Sequence, residues 1–208
     1  WDLQIFNIVK FFELCRENNP NMIDSLFTPE NCVIHCTQIG RMVRDKRRLF
    51  LSKLCWKKFR GYAHAQLKKM NDKNPIGKRK EIVDKYGYDI KFAYHIIRLF
   101  DEAEQIILEG DLDLQRAREP MKAIRRGDWT ADEVRNWSME KEKALEAAYV
   151  NCKLPEHPPQ EPLRQLLLNC LEEHYGSLDG AVAQLGWAEQ ALRDIDNVLN
   201  ESRSKLYG

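Results

Sequence analysis

No stretch of the 208 residues approaches about 18 consecutive apolar side chains, and the first residues lack the basic-then-apolar order of an export signal. Membrane insertion and secretion are therefore unsupported, and the chain reads as a soluble, cytoplasmic protein with no membrane partner. Charge of one sign is also missing. The 33 Lys and Arg against 32 Asp and Glu leave a formal net charge of +1, so any anion site must come from local clustering. No repeat at the periods of solenoids or propellers occurs. Six cysteines are scattered through helical patterns in a chain too large to need stapling, which predicts reduced and mostly buried thiols.

Helical periodicity fills most of the chain. The spacing predicts helices over about 7–17, a short one from Met22 to Phe27, 37–50 and 52–70, the last with Leu54, Phe59, Tyr62, Ala63 and Leu67 inward. Residues 88–109 form the organising helix: Phe92, Ile96, Leu99, Ala103 and Ile106 make an apolar stripe, widened by Ile97, Phe100 and Ile107. Asp89 can cap it and Gly110 follows it. Glu119 to Arg126 read as a short helix, and Thr130 with Glu133 is a capping box that opens another over about 131–150. A proline-rich connector, 154–160, precedes helices over about 161–175 and 178–204. Two short pieces look extended: Asp2 to Phe6, where polar and apolar residues alternate, and the β-branched stretch from Cys32 to Cys36. Residues 71–80 are loop-like. The fold class is mainly α, a helical bundle with one or two short strands, organised as a region 1–160 and a helical C-terminal extension 161–208. The stripe of the last helix suits a neighbour or a second copy, a homodimer.

Several short motifs then succeed one another. Lys10 to Leu14 is followed by Asn19 to Phe27, Phe50 to Lys53, Gly61 to Leu67, Lys91 to Leu99 and Leu154-Pro155-Glu156. This series resembles the nucleotidyltransferases of the DNA polymerase β superfamily found in phages and bacteria, including those linked to RNA repair, over roughly residues 2–160. The resemblance implies the C-terminal helical part of such an enzyme. It also implies Mg2+, a nucleoside triphosphate, and transfer of a nucleotidyl group to an RNA or DNA end or another hydroxyl. The superfamily's early Gly-Ser followed by Asp-x-Asp is not present: Gly176-Ser177 has no such acids after it, and Asp111-Leu112-Asp113 has no Gly-Ser before it. By position Asp2 is the candidate third carboxylate, catalytic and metal-binding. The expectation is that the catalytic half lies elsewhere, was lost, or that the fold serves binding alone.

Lys91, His95 and Arg98 sit at i, i+4 and i+7, so one edge of the central helix carries three potential cations. They suit a phosphate, or else form a solvated face. Tyr94 can stack on a base or pack. Gly61, Tyr62 and Gln66 make a turn where a nucleotide can approach, although Gly61 can equally relieve crowding between helices. Lys10 is a further nucleotide-binding candidate. The basic clusters at 41–48, 57–60 and 78–80, with Trp56 and Phe59 interleaved, suit a nucleic-acid backbone or a solvated surface. Cys32, His35 and Cys36 lack the second pair of ligands that zinc requires. Arg60 and His64 are separated by three residues, fewer than the Arg-to-His spacing of the helical ribonucleases that accompany some nucleotidyltransferases.

Overall fold

A computed structural model describes residues 3–70, 77–116, 118–179 and 195. The chain forms two compact units, Trp1–Leu163 and Arg164–Gly208. In chain order the helices are α1 (Ile8–Arg16), α2 (Pro20–Leu26), α3 (Gln38–Asp45), α4 (Leu54–Met70), α5 (Lys78–Tyr86), α6 (Ile90–Glu109), α7 (Arg118–Arg126), α8 (Ala131–Val150) and α9 (Gln160–Tyr175). Among the described residues there is no strand. Residues 3–7 have no regular secondary structure, with Leu3 and Ile5 largely exposed, and Cys32 closes a single 3-10 turn, Glu30–Cys32. Alternation and β-branching only permit a strand; a strand needs a neighbour to pair with, and none stands beside either piece among the described residues. The expected 178–204 helix falls almost wholly outside the described residues, as do Asp2 and 71–76.

The first unit is built on α6. Its ends are set locally: the Asp89 carboxylate accepts from the Lys91 amide at 3.0 Å, and Gly110 stops the helix in the left-handed conformation at φ 65°. Between them Ala93, Ile96, Ile97, Phe100, Ala103 and Ile106 are buried, and α4, α7 and α8 pack around them. Each of the Ile and Phe side chains among them, withdrawn from water, contributes about 1.5–3 kcal/mol. Trp56 and Phe59 of α4 are buried in this core, with Trp56 6.3 Å from Phe100. They are therefore unavailable to stack on a nucleic acid. Val134 and Leu145 supply the α8 side, and the Thr130–Glu133 capping box forms as expected.

The short helix α2 closes one side of the bundle through Asn18, which is buried at φ 53°. Its side-chain amide donates to the Phe50 carbonyl at 2.6 Å and to that of Cys15 at 3.1 Å, while its oxygen accepts from Ser52 at 2.6 Å. Asparagine tolerates this left-handed backbone and uses both ends of its amide here. The cysteines are free thiols, with Cys15, Cys55 and Cys170 buried and Cys32 exposed. Burial pushes the Cys15 and Cys55 thiols up to about 12, so neither is a nucleophile at neutral pH. No helix among the described residues is long and apolar enough to cross a membrane.

Candidate functional site

The cation line on α6 divides. Lys91 is exposed and His95 half-buried, and both open onto a cleft of about 530 Å³. Ile90 and Tyr94 of the same helix, Ile82 and Tyr86 of α5 and Arg125 of α7 complete its wall. The floor is apolar and aromatic, and three nitrogen-bearing side chains stand over it. No carboxylate is paired with Lys91, His95 or Arg125 among the described residues. Arg125 instead lies over the Tyr94 ring at 4.4 Å. On α5, Arg79 lies 4.4 Å over Phe92 and 3.9 Å from Asp89, and Lys85 lies 4.7 Å over the Tyr86 ring. Burial, helped by the Arg98 and Lys91 charges, pushes the His95 imidazole below its usual 6.5, so it is neutral at pH 7. Gly127, just after α7, holds the wall in place. A Cβ there would fall 2.4 Å from the Tyr86 ring, and its φ of 80° is itself a glycine conformation.

Arg98 faces the other way. Its Nη1 is 3.3 Å from Asp24 of α2 and its Nε 3.4 Å from Glu102, whose side chain is 4% exposed. One guanidinium thus serves two acids. Burial raises both carboxyls, Glu102 more strongly because Asp24 repels its charged form, while Arg98 opposes the rise. Asp24 Oδ1, Arg98 Nε and Glu102 Oε2 make no hydrogen bond. Glu102 therefore holds its proton at neutral pH, and the cluster is an α2–α6 fastening rather than a phosphate contact.

The remaining expected sites are scattered. Tyr62 is 38% exposed rather than inward, and its hydroxyl accepts from Asn19 at 2.9 Å. Gln66 is half-buried, and neither lines the cleft. A Cβ at Gly61 would meet nothing within 4 Å, so no helix and no backbone crowds it. Lys10 is 3.3 Å from Glu13 on an exposed surface. The 41–48 cluster is largely neutralised: Arg44 pairs with Glu30 at 2.9 Å, Arg48 with Asp111, and Arg47 lies over Phe27. Arg60 and His64 reach across to Glu146 and Glu142 of α8.

Two residues of the cleft and its neighbourhood escaped the periodicity. Glu102 continues the line 91, 95, 98 by one more turn, and an acid four residues after Arg98 is a signal for an internal pair. Arg125 has no local signal, because only tertiary packing brings α7 to α6. Among the described residues no three of His, Cys, Asp and Glu gather to hold a metal. Half-buried Asp24 and buried Glu102 flank a guanidinium, so the described residues do not fit Mg2+.

The model of the RNA repair pathway DNA polymerase beta family, RlaP, matches residues 1–168. The chain belongs to this family. RlaP membership makes it a polymerase-β-like, nucleotidyltransferase-related protein, and the match takes in every helix that lines the cleft. No curated protein and no solved structure matches the chain.

Proposed function

We propose that this RlaP-family chain serves nucleotidyl transfer from a nucleoside triphosphate to a nucleic-acid end or other hydroxyl. In this reading the α5–α6–α7 cleft is where it holds a nucleotide. The observation that carries the reading is the set of cations paired with no carboxylate among the described residues, Lys91 and Arg125 with His95 between them in chain order, over an apolar and aromatic floor. Cations in a folded protein usually find carboxylates, as Arg44, Arg48, Arg60 and Arg98 do here. Those left over a concave apolar surface suit a ligand that is anionic at one end and flat at the other. On this reading Lys91 and Arg125 hold a phosphate and Tyr94 takes a base. Asp2 is the proposed third carboxylate for a metal, and a second copy the proposed partner of the C-terminal helices.

Titration calorimetry with nucleotides and short oligonucleotides tests the cleft. The double variant Lys91→Ala, Arg125→Ala is expected to lose binding of whichever ligand the native chain takes. Equal binding by the double variant overturns the site. Transfer of label from a nucleoside triphosphate to RNA or DNA ends, with candidate partner chains added, tests the activity; binding without transfer would leave a helical binding module.

A further inference from the structure

The cleft does not end at Tyr94. A second chamber of about 240 Å³, lined by Leu114 and Met121 with Lys122, shares Tyr94 and Arg125 with the first. The stacked pair Tyr94–Arg125, 4.4 Å apart, is thus a partition between two hollows of one groove. Arg125 is exposed and bonded to no carboxylate among the described residues, so little holds the guanidinium over the ring. A nucleobase has a flat π-face of similar thickness and can replace the guanidinium on Tyr94 or stack against it. The smaller chamber lies below the usual size of a complete ligand site and fits an extension of the first better than a site of its own.

Charge discriminates between candidate occupants. A nucleoside triphosphate in a transferase travels with metal ions bridging its phosphate oxygens, and those ions need carboxylates. Among the described residues neither chamber has a carboxylate in its lining. Lys91 and Arg125 bring two fixed charges, with His95 neutral and Lys122 already 2.6 Å from Glu119. That is the right scale for one or two singly charged phosphodiesters.

Resting on the reading of the cleft as a nucleotide site, we propose that its occupant is a single strand of nucleic acid. One base stacks at Tyr94, a phosphodiester lies against Lys91 and Arg125, and the strand continues into the Leu114–Met121 chamber. A free nucleoside triphosphate is not its ligand.

Fluorescence anisotropy on the full chain tests this with a labelled single-stranded oligonucleotide, the same oligonucleotide annealed to its complement, and ATP with Mg2+ as competitor. Single-strand binding is expected. The duplex should bind more weakly and ATP should fail to compete. Tyr94→Ala should weaken the single strand by roughly tenfold, while Tyr94→Phe, which keeps the ring, should not. Lys91→Glu, at an exposed position that folding does not need, should abolish binding. If ATP binds in a Lys91- and Arg125-dependent way and the single strand does not, this inference fails while the nucleotide site stands. If neither ligand depends on those residues, both fail. Equal affinity for duplex and single strand also overturns the proposal, because paired bases cannot reach Tyr94.

Discussion

Lys91 and Arg98 lie two turns apart on one edge of α6, yet their surroundings are opposite. Arg98 is clamped between Asp24 and Glu102 beneath α2, whereas the Lys91 ammonium projects over a cleft and pairs with no carboxylate among the described residues. The sequence spacing is the same in kind. What differs is the element packed alongside: α2 brings an acid to Arg98, whereas the α5 and α7 residues beside Lys91 are aromatic, apolar and basic. A periodic line of cations identifies an edge of a helix, and only the neighbours decide whether that edge fastens the fold or waits for a ligand.

The sharpest way to break this comparison is to remove each cation in turn. Arg98→Met leaves the half-buried Asp24 carboxylate with no counter-charge beside the protonated Glu102, which should cost about 1–3 kcal/mol. Lys91→Ala removes an exposed side chain and should change stability by less than about 0.5 kcal/mol. Urea denaturation of both variants at pH 7 measures the difference. Equal losses would mean that the two cations do the same work.

That contrast also shows how far the residues alone could be followed. The periodic stripe from Phe92 to Ile106 and the caps at Asp89, Gly110 and Thr130 are local properties, and all of them form where the spacing places them. The two extended pieces did not become strands, because pairing depends on a partner that local alternation says nothing about. Tyr62 and Trp56 exchanged their expected places: Trp56 is 2% exposed and Tyr62 38%. On an amphipathic helix with several aromatics, a small rotation decides which of them faces inward. In the cleft, Lys91 and His95 were visible as a pair on one edge, but Arg125 arrives from a helix 30 residues downstream by packing that no local pattern encodes.

The second way to sharpen the comparison concerns ligand affinity. On the proposed phosphate site, Lys91→Ala and Arg125→Ala would each remove a charged hydrogen bond worth about 1.5–3 kcal/mol, so each should weaken binding about tenfold or more. Substituting Asp24→Asn, on the fastening side, should leave affinity unchanged. If Asp24→Asn weakens the ligand as much as Lys91→Ala does, the two sides of α6 are one site.

Acid titration separates the two sides again. The folded chain holds the Glu102 proton more tightly than the unfolded chain does, so this contribution to stability is complete below the ordinary glutamate value of 4.5 and is lost as pH rises through about 9. Asp24 acts in the same direction over a lower window, from 3.8 to about 6. Denaturation midpoints should therefore fall between pH 5 and about 9. Glu102→Gln keeps the shape and removes the ionisation, so it should flatten the alkaline part of that slope and leave the variant more stable than the native chain at pH 9. An unchanged slope would show that Glu102 is not the group that titrates.

The smallest expected effect belongs to His95. Burial and the positive charges of Arg98 and Lys91 hold its imidazole below 6.5, opposed only by Asp89, and Arg125 lines the same cleft. A bound phosphate supplies the opposite field and raises that value, so binding takes up a proton over the interval between the two. Affinity should consequently increase as pH falls from about 8 toward 5.5, by no more than about fivefold, since a half-exposed pair contributes about 1 kcal/mol at most. A phosphodiester is the right probe, because its own charge is constant over this range whereas a terminal phosphate titrates near about 6. With such a probe the native slope should vanish in His95→Gln and persist in Lys91→Ala. A slope that survives in His95→Gln would assign the proton to another group and leave His95 as part of the cleft wall.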